Sequence, residues 1–232
     1  MKYSFTWNGV SSTSEGIRLR EMPQIVRPEE RVNHIVIPGR SGELTETEGN
    51  DIYNSYIQTV PIAVDSLAHV KDIEWWLRGD GYVTFCNESN RKQRARVINA
   101  VTFQKHSKNS SWYEAEVQFY CDPLKEALTE SSIEITSSGG TITNPGDVES
   151  RPLITIIGSG DITIRINDRA LVLEGVVSGW KVDSDLEWVI DGTTPLSGVC
   201  SGDFPRIRTG ESAVQWTGNV TKLIILPRWR YL

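Results

Sequence analysis

The chain has 232 residues, 38% hydrophobic and 23% charged, which is apolar enough to bury a core in one large or two small domains and excludes a disordered chain. Its net charge of −6 excludes a dedicated duplex-binding protein, which needs a basic face, and the acidic excess is spread evenly, with 15 basic and 18 acidic residues up to residue 130 and 9 and 12 after it. Cys86, Cys121 and Cys200 are too few and too odd in number for a disulfide framework, so folding in a reducing compartment is expected, and no apolar run approaches the roughly 18 residues of a membrane-spanning helix.

The opening Met1-Lys2-Tyr3-Ser4-Phe5-Thr6-Trp7-Asn8 has no apolar stretch of the secretory kind, so no leader is expected. Tyr3, Phe5 and Trp7 alternate with polar residues as a half-buried strand that Asn8-Gly9 ends. Ile35-Val36-Ile37 leads into Pro38-Gly39-Arg40-Ser41-Gly42, where proline and two glycines fix a reversal and hold Arg40 and Ser41 out at its tip. Residues 52–64 read as a strand in which Pro61 marks an edge or a bulge. Residues 66–78 form the one convincing helix, capped by Asp65 or Ser66, with Leu67, Val70, Ile73 or Glu74, and Leu77 on one face and Gly79 and Gly81 as the stop. At least one of Trp75 and Trp76 should dock on the sheet beneath. Strands return at 82–86, 94–103 and 112–121, the last alternating Ala115, Val117 and Phe119 with Glu114, Glu116 and Gln118 until Asp122-Pro123 ends it.

Composition then shifts. Residues 129–146 are rich in Ser, Thr and Gly, and the domain boundary is placed near 129–136. Short strands separated by turn signals follow, at 154–157, 162–166, 171–173, 188–190 and 220–226, with Gly158-Ser159-Gly160 read as a β-turn. The spacing and the lack of helical periodicity predict a small antiparallel sandwich.

Little in the chain invites catalysis. His34, His69 and His106 are scattered and read as structural or surface residues, because a metal or catalytic role needs a second convergent ligand. Gly39-Arg40-Ser41-Gly42 is one residue short of a nucleophile elbow, and Gly158-Ser159-Gly160 lacks the third glycine and the helix of a phosphate loop. Asp183, Asp185 and Glu187 alternate between Trp180 and Trp188, which would put three acids on one strand face near aromatic platforms. That arrangement suits sugar contact, glycoside hydrolysis or calcium, against the simpler reading of a solvated face. The run Arg91-Lys92-Gln93-Arg94-Ala95-Arg96 places Arg94 and Arg96 on one face; contact with a nucleic-acid backbone is one reading, and a hairpin end or a basic surface meeting an acidic neighbour in an assembly is preferred, given the net charge of −6. Trp216 and Trp229 are candidates for the sandwich core, and Pro227-Arg228-Trp229-Arg230-Tyr231 has the composition of an interface anchor as well. No catalytic residue, cofactor or metal ligand is assigned.

Four ordered stretches carry a resemblance. They are Phe5-Thr6-Trp7-Asn8-Gly9-Val10 with Gly16-Ile17; Pro38 to Leu44 with Tyr53; the lone helix with Gly79-Asp80-Gly81 and the strands up to Phe119-Tyr120-Cys121-Asp122-Pro123; and a second region. That region has Asn144-Pro145-Gly146, Arg151-Pro152-Leu153-Ile154, Gly158 to Ile164, Gly202-Asp203-Phe204-Pro205 and Pro227-Arg228-Trp229. Together they resemble the distal tail protein of siphophages, also encoded by prophages. The resemblance implies a mainly β fold: a tail-tube-like ring-forming domain over residues 1–130, with one α-helix and a long hairpin, and a galectin-like β-sandwich over 136–232. It implies a non-enzymatic structural protein of the virion, assembled in the bacterial host cytoplasm and placed at the distal end of the tail. There, a homo-hexameric ring would join the tail tube protein to the tail-tip hub protein, with DNA only passing through the channel. Receptor-binding or baseplate proteins would dock on the outer domain. Arg40, Ser41, Arg94 and Arg96 are the expected ring-interface residues. No histidine follows residue 136, so the sandwich departs from the sugar-binding set of galectins. The alternative function is a carbohydrate-binding module acting in host-surface recognition.

Overall fold

The computed structural model describes residues 3–47, 49, 51–66 and 70–232. The chain divides into two compact units, residues 1–128 with Leu232, and residues 129–231. Both are built almost wholly of antiparallel strands, and the described residues contain one α-helix.

In the first unit the strands are β1 (Phe5–Trp7), β2 (Val10–Ser11), β3 (Ile17–Leu19), β4 (Val32–Val36), β5 (Glu43–Thr47) and β6 (Tyr56–Val64). Helix α1 (Val70–Trp76) precedes β7 (Asp80–Phe85), β8 (Arg91–Val97), β9 (Gln104–Lys105) and β10 (Tyr113–Ala127). The main sheet runs β2-β1-β7-β8-β10-β6-β3, with β9 beside β10. Its two ends approach each other, because the Ile17 amide donates to the Ser12 carbonyl at 2.9 Å. One face is therefore enclosed. The alternation seen in the sequence decides which: Phe5 and Trp7, Val83 and Phe85, Val117 and Phe119 all point inward and are buried. Phe119 sits at the centre, edge-on to Phe5 at 5.4 Å and to Phe85 at 6.0 Å.

The helix covers this core through Ile73 and through Trp76, which stacks on Phe5 at 5.6 Å. Trp75 points the other way, 70% exposed, with the Arg78 guanidinium 4.1 Å above its ring. Leu77 is buried in the turn that follows, and the expected Leu67 contact lies outside the described residues.

Two proline readings differ from expectation. Asp122-Pro123 does not end the last strand, because β10 runs on to Ala127 across a register shift between Cys121 and Lys125, where the missing proline N–H costs no ladder bond. Pro61 lies between two neighbours; its carbonyl accepts from the Arg20 amide at 3.1 Å, just past the end of β3, and only the reciprocal bond that a proline cannot donate is missing, at the last pair of that ladder. The strand expected over 94–103 is shorter and earlier, Arg91–Val97, so the basic run opens β8 just past the turn that joins it to β7 and continues along the strand.

The second unit comprises β11 (Ile133–Ile135), β12 (Gly140–Asn144), β13 (Leu153–Ile166), β14 (Arg169–Val176), β15 (Lys181–Asp183), β16 (Trp188–Asp191), β17 (Thr194–Leu196), β18 (Cys200–Gly202) and β19 (Gly210–Leu226). It is one sheet folded over on itself. The first half of β13 pairs with the end of β19 and with β15, and its second half pairs with the start of β19 and with β14. Ile154 and Ile156 from one leaf, and Ile162, Ile164 and Ile166 from the other, share a single core with Leu223, Ile225 and Val214.

Gly158-Ser159-Gly160 is the corner of this fold. It is not the β-turn read from sequence but a bend inside a continuous strand, marked by register shifts against β19. Glycine is required on the facing strand. Gly218 has φ +95°, and a Cβ there would run into the Asp161 carbonyl.

Candidate assembly interface

Between β3 and β6 the chain leaves the main sheet as an arm. Its base is tied by Arg31 N to Ile52 O at 2.9 Å and Asn54 N to Glu29 O at 2.8 Å. Its tip is the hairpin β4–β5, a separate two-stranded sheet in which Val36 pairs Glu43 and Val32 pairs Thr47. The turn read from Pro38 to Gly42 is present: Arg40 N donates to Ile37 O at 3.1 Å, and Gly39 and Gly42 both have φ +82°. Arg40 and Ser41 lie exposed at its end.

The hairpin is exposed on both faces, which a two-stranded sheet in water does not sustain without a partner surface. One face carries Ile35 and Leu44 side by side, with Asn33 and Glu46 as the next pair; the other carries Val36, 70% exposed, and a His34–Glu43 contact at 3.4 Å. No described residue of the arm belongs to the core of the first unit.

The outer face of the main sheet holds the second feature. Arg94 and Arg96 project from β8 on the same side, as their spacing requires, and both are exposed. Across the ladder Arg96 is paired with Tyr120, and Tyr120 with Ile57. Tyr120 and Ile57 are about half exposed. Arg96 makes only a long contact to Asp80, 3.8 Å, and Arg94 has no ion-pair partner among the described residues. Exposed tyrosine, isoleucine and arginine in adjacent rows have the composition of a protein interface. The structure keeps Arg40 and Ser41 on a different element from Arg94 and Arg96.

The candidates for chemistry are bound into structure. The three acids near Trp188 do not share a strand face: β15 ends at Asp183, and Asp185 and Glu187 fall in the following turn, Glu187 with φ +55°. Asp183 is buried and grips Arg228 through both oxygens, at 2.7 and 2.9 Å. Burial pushes its carboxyl up, but Arg228 and the Leu186 and Asp185 amides outweigh that and hold it below the usual carboxylate range. Asp185 is held by Arg230 at 2.8 Å and by Arg151 at 3.5 Å. Arg206 joins Glu149 at 3.1 Å to Glu187 at 3.7 Å. Each of these three acids is thus engaged by an arginine instead of standing free to face a glycosidic bond. Trp180 is buried, whereas Trp188 is half exposed. Trp216 and Trp229 are only partly buried, at the margin of the core.

His106, read as solitary, has a partner eight residues on: its Nδ1 lies 2.7 Å from Glu114, whose other oxygen takes Arg20 at 3.0 Å. These groups line a cavity of about 470 Å³ with Asn99, Thr102 and Gln104. Only the tertiary path of the chain reveals this cluster, since β9 must fold beside β10 to form it. Among the described residues no three His, Cys, Asp or Glu side chains converge as metal ligands, and no helix is long and apolar enough to cross a membrane. His69 lies outside the described residues.

Among solved structures the chain is similar to phage SPP1 Dit (gp 19.1), described as a paradigm of the hub adsorption apparatus in phages that infect Gram-positive bacteria, with a TM-score of 0.78 over 100% of both chains and 16% sequence identity. The chain has the Dit fold. The mainly β reading is borne out, and the likeness spans the whole of this chain. No protein-family model and no curated protein matches the sequence.

Proposed function

We propose that the chain is a structural, non-enzymatic component of a siphophage or prophage tail tip. In this reading six copies close a ring at the distal end of the tail, joining the tail tube to the hub, with DNA crossing the central channel. The observation that carries the reading is the likeness to SPP1 Dit over the full length of both chains. It is supported by an arm that exposes apolar residues on both faces and takes no part in its own core. Closed rings need one patch to meet a different patch on the next copy, and the arm and the outer sheet face are two such patches. Arg40, Ser41, Arg94 and Arg96 are the residues placed at that contact. The net charge of −6 favours passage of DNA without retention.

Electron microscopy and native mass spectrometry of the pure chain, alone and mixed with tail tube and hub proteins, test the ring. A six-fold particle with six times the 26.0 kDa chain mass is expected. A chain that stays monomeric in every mixture overturns the ring. Gold-labelled antibody on virions should mark the tail end, and unlabelled tails overturn the location. The exposed Trp188 is the one observation favouring a carbohydrate-binding module. Glycan-array binding lost in Trp188→Ala would establish that second reading.

A further inference from the structure

The outer face of one leaf of the second unit carries a groove of about 410 Å³. A gap in the sheet makes it. β12 pairs with β19 only as far as Val214, and β11 only from Leu223 on, so the stretch of β19 between them has no strand on that side among the described residues. The turn at 137–140 forms the wall there. Its Ser138 Oγ stands in for a paired strand, accepting from the Trp216 amide at 2.9 Å and donating to the Trp216 carbonyl at 3.0 Å. The floor is a grid of side chains on β13 and β19. Thr163 faces Thr217 across the ladder and Arg165 faces Gln215, with about 7 Å between the two rows. Arg165, Gln215 and Thr217 are exposed, and Thr163 is half-buried. None of these side chains has a hydrogen-bond or ion-pair partner among the described residues. No acidic side chain lines the groove, so the charge of Arg165 is unmatched. Ala170 and Val172 pair with Arg165 and Thr163 from the other side and give the grid a low apolar flank.

We propose that this groove binds an oxyanion flanked by hydroxyl groups, the chemistry of a polyol phosphate or an acidic sugar. The Arg165 guanidinium presents a planar fork of N–H groups that matches two oxygens of a phosphate or carboxylate. Gln215 and the two threonines each donate and accept, which suits hydroxyls on the carbons next to the anion. Val172 and Ala170 offer surface to the C–H groups between them. Other occupants meet the groove poorly. A protein partner seeks an exposed aromatic anchor, and Trp216 packs against the core instead. A nucleic acid needs a run of cations, and the groove has one. A wholly apolar ligand would leave the guanidinium, the carboxamide and both hydroxyls unpaired. The site is independent of the ring and of Trp188, which lies on β16 in the other leaf.

Calorimetric titration of the full chain tests the site with a short glycerol phosphate oligomer, a short glucuronate oligomer, inorganic phosphate and a neutral glucose oligomer. At least one of the two charged oligomers should bind about tenfold more tightly than phosphate or the neutral oligomer, and which one does so identifies the oxyanion. Arg165→Met and Gln215→Ala should each weaken that binding about tenfold, and added salt should weaken it as well. Thr217→Val keeps the side-chain shape, removes the hydroxyl and should weaken it severalfold. These three positions are exposed, so circular dichroism and melting should match wild type. Trp188→Ala should bind like wild type. Inorganic phosphate binding as tightly as the oligomers overturns the proposal, because the hydroxyls then add nothing. Equal binding of the neutral oligomer overturns it, because Arg165 then adds nothing. Binding that survives Arg165→Met intact, or that is lost in Trp188→Ala, lies elsewhere and overturns it too, as does a lack of response to every probe. The ring is read from assembly, so its failure and the failure of this site are separate results.

Discussion

Single residues decide what this chain can and cannot do chemically. Burial pushes the Cys121 thiol up to about 12, leaving it protonated and shielded in the first core. Of the three cysteines, Cys121 should react with a thiol reagent at pH 8 only after unfolding, while half-buried Cys86 and Cys200 react in the native protein; fast reaction of all three would contradict the packing. Asp183 makes the opposite point. Its carboxyl titrates lower in the folded chain than in the unfolded one, so folding favours the ionised form. The stabilisation is complete above the ordinary carboxylate value, near pH 4, and is lost as pH falls through the lower folded value. Asp183→Asn removes a charge-assisted, two-oxygen contact to the partly exposed Arg228 and should cost about 2 kcal/mol at neutral pH. Urea unfolding between pH 7 and pH 3 should show the gap between wild type and variant narrowing in acid. Clustered acids beside tryptophan look like a binding groove in the sequence, and only the return of Arg228 and Arg230 from more than 40 residues away shows them to be a brace.

At the scale of elements, alternation did most of the predicting. The buried faces of β1 and β10 follow from period-two patterns in aromatic and β-branched residues, and the reversal at Pro38–Gly42 follows from backbone chemistry alone. Failures came where a local breaker was overruled by long-range pairing. Pro123 sits in a bulge that the partner strand tolerates, and Gly158 to Gly160 bend a strand that β19 holds in line on both sides. Local sequence cannot distinguish a corner from a turn, because both need glycine and only the neighbouring strand tells them apart. The corner makes a specific prediction. Gly218→Ala faces both a left-handed backbone and the Asp161 carbonyl, whereas Gly160→Ala has the same φ region with open space around it. The first should cost about 2–3 kcal/mol and the second about 1 kcal/mol, read as shifts in the urea midpoint. Equal costs would mean that the close approach at the corner does not matter.

For the whole molecule, the decisive property is how much surface it keeps for others. The arm was legible as a hairpin with a rigid tip. That Ile35, Val36 and Leu44 stay uncovered along it was not, since an apolar strand residue carries no mark in the sequence of whether another surface packs on it. Arg94 and Arg96 were legible as one charged face, but the tyrosine and isoleucine beside them come from β10 and β6, far along the chain. Replacing residues 32–47 with a short glycine-serine link should leave the melting temperature of the first unit almost unchanged, because no core residue is lost, and should abolish assembly. Calorimetry and light scattering measure the two effects, and a large drop in melting temperature would show that the arm stabilises its own unit. The folded-over sheet of the second unit bears on a different demand. Since β13 and β19 each serve both leaves, any tension entering one leaf passes to the other along peptide bonds, with no hydrogen-bonded seam at the corner to tear. Under pulling, such a unit should yield in one step, as a clasp does, rather than peel open layer by layer.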